Sequence, residues 1–173
     1  MSYEIKQDGK FKFIEEGDGE PLMLLHGLFG ALSNFQFLIE HFRKTNRIIV
    51  PILPLLDLGL LHTSVGGLQK FVHRFVEHRN YNDIHLLGNS LGGHVALVHV
   101  LKHPERIKSI ILTGSSGLFE SGMGDTYPKR GDKDYIRKKT ELTFYDPKIA
   151  TDELVNEVFE ITNNRMKVIK IIA

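Results

Sequence analysis

Residues 84–96, Ile84-His85-Leu86-Leu87-Gly88-Asn89-Ser90-Leu91-Gly92-Gly93-His94-Val95-Ala96, decide the reading of this chain. Ile84 to Leu87 is a short apolar run of the kind that forms a fully buried strand. From Leu91 to His103 the apolar residues Val95, Ala96, Leu97, Val98, Val100 and Leu101 are dense enough to predict a nearly buried helix, which His103-Pro104 ends. Between them Gly88-Asn89-Ser90-Leu91-Gly92 fits the pattern G-x-S-x-G at a strand-to-helix corner. A serine in so sharp a turn needs neighbours without side chains, and Gly88, Gly92 and Gly93 meet that need. The helix that starts at Leu91 directs free N–H groups toward negative charge developing beside it. The competing interpretation makes the glycines a device for close helix–strand packing and Ser90 an ordinary helix cap; phosphate- and dinucleotide-binding glycine loops, however, lack this serine arrangement.

Upstream, Pro21 to Leu25 reads as another buried strand, broken at His26-Gly27, and Arg47 to Ile52 as a further one. Val65 to His78 places Val65, Leu68, Val72, Phe75 and Val76 at helical spacing. Downstream, Ser109 to Thr113 reads as a fourth buried strand that exits at Gly114-Ser115-Ser116-Gly117. Apolar runs alternating with helices predict an α/β fold with a mainly parallel sheet covered by helices on both faces. The N-terminal segment, with Phe11, Phe13 and Gly17-Asp18-Gly19, is expected to add an antiparallel hairpin at the edge.

Acyl transfer at Ser90 requires donors for an oxyanion. Leu91 N–H is one candidate. The second is expected from the loop after Leu25, where Gly27 lets the backbone approach and Leu28 presents its N–H; a one-residue shift would put Phe29 in that place. Gly27 to Gly30 lies one strand and one helix upstream of the serine corner, so the two motifs support each other.

With 173 residues and 42% hydrophobic residues, the chain has enough apolar material for one domain-sized core. Lys and Arg number 22 against 21 Asp and Glu, a net +1 that supplies no reason to expect nucleic acid or an anionic membrane as partner. A small-molecule substrate is the expectation. Cysteine is absent, which removes disulfide and thiolate-metal schemes and suits a cytoplasmic location. No signal-peptide pattern or run of about 20 apolar residues is present.

Composition changes after Gly117. Residues 118–141 are rich in glycine and charge, which reads as a solvated crossing; Thr151-Asp152-Glu153 then opens an amphipathic helix bearing Leu154, Val155, Val158, Phe159 and Ile161. The expected division is a core over 1–117 and a partial helical cap over 118–173. Lys167 to Ala173 ends in an apolar run without a stop signal, from which truncation is expected.

The order strand, HGLFG, strand, helix, strand, GNSLGG, helix ending in HPERI, strand resembles the N-terminal portion of the α/β-hydrolase superfamily. The segment GNSLGGHVALVHVLKHPERIKSIILTGSSG and the later FYDPKIATDELV resemble most the carbon–carbon bond hydrolases of meta-cleavage products and their carboxylesterase relatives. The resemblance implies a serine hydrolase acting on a small ester or C–C bond, with Ser90 as nucleophile and no metal or organic cofactor. It also implies an acid and a histidine in later strands, beyond Ala173, so the chain alone is expected to be nearly inactive.

Substitutes within the chain are not favoured. His94 is expected to face a neighbouring loop and His26 to hold the glycine loop. His41, His73, His78 and His103 fall on exposed or interfacial helix positions and His62 on a loop. Glu120 is the nearest acid candidate. His99 and His103 have metal-compatible i, i+4 spacing but are expected on a solvated face. The apolar stretch 51–62, PILPLLDLGLLH, suits an acyl pocket, core or an association patch. Two further classes stay open: a non-catalytic module that self-associates through an exposed sheet edge, and a ligand receptor on the same fold.

Overall fold

The computed structural model describes residues 3–28, 35–55, 64–118 and 131–163. The described chain forms two compact units, Met1–Phe119 and Glu120–Ala173.

The first unit contains strands β1 (Lys6–Asp8), β2 (Phe11–Glu16), β3 (Glu20–Leu25), β4 (Asn46–Pro51), β5 (Ile84–Asn89) and β6 (Ile107–Thr113), and helices α1 (Gln36–Phe42), α2 (Val65–His78) and α3 (Leu91–Lys102). One six-stranded sheet has the order β1-β2-β4-β3-β5-β6. Pairs β3–β4, β3–β5 and β5–β6 are parallel, while β1–β2 and β2–β4 are antiparallel. The mainly parallel sheet therefore carries an antiparallel hairpin at its edge. That hairpin turns at Gly9-Lys10, and Gly17-Asp18-Gly19 instead leads from β2 to β3, which are not neighbours because β4 lies between them.

Strand side chains alternate between two faces, and the two cores divide accordingly. Met23, Leu25, Ile49 and Leu86 pack with Val72, Phe75, Val95 and Ala96 of α2 and α3. Leu22, Leu24, Ile48, Val50 and Leu87 pack instead with Ile39 of α1 and with Phe35. Because consecutive residues serve opposite cores, these strands read as continuous apolar runs. Helix α2 starts where the Ser64 hydroxyl accepts the Gly67 N–H at 3.1 Å. An ionic cluster ties its end to the hairpin: Arg79 contacts Asp8 at 2.8 Å and Glu15 at 3.3 Å.

Three expectations need correction. Helix α3 buries only the stripe Gly92, Gly93, Val95, Ala96 and His99, and Leu101 is 82% exposed; its apolar residues exceed the face that packs on the sheet and α2. Strand β6 is not buried, since its outer edge has no strand partner among the described residues and Ile111 is 44% exposed. Charge-rich residues 133–141 form a helix, α4 (Lys133–Glu141). Its Asp132 cap accepts the N–H groups of Asp134 and Tyr135 at 3.0 and 3.1 Å, and Ile136 and Thr140 are its buried positions.

In the second unit α4 packs with α5 (Asp152–Asn163), whose first turn is held by Thr151 Oγ1 accepting the Leu154 N–H at 3.3 Å. Ile136, Ala150 and Val155 form its small core, and Arg137 pairs with Asp152. No described helix is long and apolar enough to cross a membrane.

Candidate active site

The sheet has a switch point at β3: the chain runs from β3 to β4 on one side, then returns to place β5 on the other. Loops leaving the carboxyl ends of such diverging strands bound a crevice. The loop after β3 carries His26, Gly27 and Leu28; the turn after β5 carries Ser90. They approach closely, as a Cβ placed on Gly27 would lie 3.1 Å from Ser90 Cβ.

Ser90 has φ 53° and ψ −120°, a conformation L-residues rarely adopt, and its side chain is exposed. Its backbone is braced from β6. Ser90 N–H donates to the Thr113 carbonyl at 3.2 Å, and the Asn89 amide donates to the same carbonyl at 3.0 Å and to Thr113 Oγ1 at 3.1 Å. The Ser90 carbonyl accepts the N–H groups of Gly93, His94 and Ser116 at 3.0, 3.3 and 3.2 Å. Sequence reasoning left Asn89, Thr113 and Ser116 without roles. Only Asn89 had a signal, because it occupies a variable position inside the G-x-S-x-G motif.

The glycines of the corner are sites of backbone contact. A Cβ on Gly88 would lie 2.5 Å from the Gly92 carbonyl oxygen. On Gly92 it would overlap the Leu25 carbonyl and lie 2.7 Å from the His26 carbonyl oxygen. Helix α3 therefore starts directly against the end of β3, a packing that any side chain at Gly92 prevents.

Leu91 is the first residue of α3, so its N–H lies outside the intrahelical ladder. Leu28 ends the described part of its loop and is half-buried. Among the described residues neither N–H is engaged in a hydrogen bond. Phe29 and Gly30 lie outside the described residues, as do His62, Glu120 and residues 56–62 and 164–173.

His26 is 3% exposed and held at both ring nitrogens. Its Nδ1–H donates to the Gly27 carbonyl at 2.8 Å, and its Nε2 accepts the Leu53 N–H at 3.0 Å. Burial pushes its pKa below the ordinary imidazole value, outweighing the opposing Gly27 bond. A neutral, doubly anchored ring is a brace for the glycine loop. His94 packs its ring against Gly117, in the loop after β6. No histidine or carboxylate among the described residues is hydrogen-bonded to the Ser90 side chain.

The expectation of a solvated face for His99 and His103 is corrected for His99, which is 1% exposed between α2 and α3. It lies 3.5 Å from the Gln69 amide, and the rings of His73 and His103 stack beside it with centroids 3.6 Å apart. Burial first, then the charges of His103 and His73, lowers the His99 pKa to about 4. Among the described residues no group of His, Asp or Glu is arranged to hold a metal ion.

The sequence profile for the alpha/beta hydrolase fold matches residues 20–143. The 2-hydroxymuconate semialdehyde hydrolase of Pseudomonas sp. (strain CF600) is 26% identical over 153 residues, covering 81% of this chain and 53% of that protein. Lipase 1 of Psychrobacter immobilis is 27% identical over 121 residues, covering 66% of this chain and 38% of its own. This chain thus spans about half or less of the length of these two relatives. Among solved structures, an alpha/beta hydrolase enzyme from the metagenome of sediments of the Mar Chica lagoon, Morocco, is 32% identical with a TM-score of 0.65, covering 91% of this chain and 82% of that one. With the profile spanning well over half of its residues and hydrolases as its relatives, this chain belongs to the α/β-hydrolase fold family.

Proposed function

We propose that the chain carries the nucleophile and oxyanion half of a serine hydrolase site that acts on a small ester or a vinylogous C–C bond. The observation that carries this reading is Ser90 itself: an exposed hydroxyl on a strained, positive-φ corner at the sheet's switch point, facing the Gly27 loop. Strain retained at one residue and braced by six hydrogen bonds, four at its own backbone and two from the adjacent Asn89 side chain, is the signature of a functional position.

In the proposed step Ser90 Oγ attacks the substrate carbonyl carbon while its proton passes to a base. The carbonyl oxygen then gains negative charge and is met by the N–H groups of Leu91 and Leu28. Removing one donor of this kind costs roughly 2.7–4 kcal/mol in a well-studied protease. A hydroxyl, two amides and a base perform acyl transfer without calling on a metal or organic cofactor. We place the base and its acid outside the described residues, and the second unit, with α4 and α5, as the start of a helical cap. A serine without its base and acid turns over slowly, since loss of the triad costs about a millionfold in subtilisin. We place this chemistry in the cytoplasm, which the cysteine-free sequence suits.

The test is p-nitrophenyl butyrate hydrolysis together with fluorophosphonate labelling, read by peptide mass, on the 173-residue chain and Ser90→Ala. The expected result is turnover close to that of Ser90→Ala. Rapid turnover lost in Ser90→Ala would keep the nucleophile and overturn the placing of the base; rapid turnover retained in Ser90→Ala would overturn both.

The outer edge of β6, which has no strand partner among the described residues, supports a second reading, self-association through strand pairing. Sedimentation of the chain over a concentration series tests it: a monomer at every concentration removes it.

A further inference from the structure

At the amino ends of the parallel strands, the opposite end of the sheet from Ser90, three side chains form a line. The register pairs Leu22 with His85 and His85 with Ser109. Glu20 stands two residues before Leu22 and so shares its face of the sheet. His85 Nε2 lies 3.0 Å from Glu20 Oε2, and His85 Nδ1 lies 2.7 Å from Ser109 Oγ. Lys108 Nζ holds the other carboxylate oxygen of Glu20 at 2.7 Å.

An ionised carboxylate only accepts hydrogen bonds, so Nε2 carries the proton toward Glu20. In the neutral ring Nδ1 is then the acceptor, and the Ser109 hydroxyl donates to it. Glu20 thereby fixes the tautomer that lets the imidazole take a proton from the serine, the same division of labour found in Ser-His-acid triads. The His85 side chain is 26% exposed and that of Glu20 59%, so reagents in solution reach the group.

We propose that Ser109 is a second nucleophilic serine, activated by His85 and Glu20, which accepts the acyl group of small activated esters. With p-nitrophenyl acetate, Ser109 Oγ bonds to the acetyl carbon as its proton passes to His85 Nδ1. The bond from the acetyl carbon to the phenolic oxygen breaks, and p-nitrophenolate departs with that electron pair. His85 then releases the proton to water, leaving an acetyl ester on Ser109. Ser109 lies within a strand rather than at a helix N-terminus, so it lacks converging helix-end amides for a second oxyanion. Acylation therefore runs to a single turnover and the ester accumulates.

The test treats the Ser90→Ala protein with p-nitrophenyl acetate and follows acetylation of each serine by peptide mass spectrometry. Ser109 is expected to acetylate fastest among the serines. Adding His85→Gln slows it about a hundredfold, the low end for removal of a positioned base. Adding Glu20→Gln slows it by about tenfold or more through loss of the fixed tautomer. Circular dichroism checks folding, and Glu20→Gln carries the test if His85→Gln does not fold. An unmodified Ser109, or one acetylated at equal rates with and without His85 and Glu20, overturns the proposal and leaves the three side chains as a clamp between strand ends. Because Ser90 is absent throughout, this outcome is independent of the assignment at the crevice.

Discussion

Replacing Ser90 by glycine should stabilise the fold while deleting the proposed nucleophile. At φ 53° and ψ −120° the residue occupies backbone space that costs an L-residue about 1–3 kcal/mol and glycine almost nothing. Its side chain makes no hydrogen bond among the described residues that would be forfeited. Ser90→Ala keeps Cβ and therefore the strain, so it should lie within about 0.5 kcal/mol of the parent. Ser90→Gly releases the strain but gains freedom in the unfolded chain, a loss of about 0.4–1 kcal/mol. At the middle of both ranges the difference leaves Ser90→Gly more stable than Ser90→Ala by about 1.3 kcal/mol, and by about 2.6 kcal/mol at most. Urea denaturation at constant m should show this as a midpoint higher by roughly 0.5–1 M. A glycine variant no more stable than the alanine variant would refute the claim that this corner stores strain.

Gly92→Ala should destabilise by about 1–3 kcal/mol in the same assay, because its Cβ meets the Leu25 and His26 backbone and α3 must lift away from β3; an unchanged midpoint would show that this contact is not tight. Gly66→Ala, at a helical position where an added Cβ would come no nearer among the described residues than 3.9 Å from the Ser64 hydroxyl, should instead stabilise by about 0.4–1 kcal/mol. His99, with its pKa lowered to about 4, binds no proton in the folded state over a range where the unfolded chain, titrating near 6.5, does. Stability should therefore fall as pH drops from about 6.5 toward 4, by roughly 2–3 kcal/mol from this residue, and His99→Gln should flatten that slope; parallel pH profiles would contradict it.

The fold was legible where one residue type dominated the physics. Met23 and Leu24 serve opposite cores, so a continuous apolar run announced a two-sided strand, and the Leu68, Val72, Phe75 and Val76 stripe announced α2. Helix α4 was hidden because its charges outnumber its buried positions, Ile136 and Thr140, leaving the Asp132 cap as its clearest mark. The burial of His99 was hidden because a histidine looks the same in sequence whether it meets water or Gln69 and two stacked rings. At the crevice, spacing alone brought Ser90 and its glycines together. The bracing by Thr113 and Ser116 depends on the β5–β6 register, a long-range pairing that no local pattern encodes.

The most direct test of the central claim uses the absence of cysteine from the sequence. In Ser90→Cys the only thiol sits at the start of α3, and a thiolate attacks without a separate base. A pre-built site gives a thiol pKa below the ordinary value of about 8.5, measured by iodoacetamide reactivity against pH, and acylation of that residue by p-nitrophenyl acetate faster than a free thiol of equal pKa. A thiol that titrates and acylates like free cysteine would contradict a pre-built nucleophile and oxyanion site at this corner.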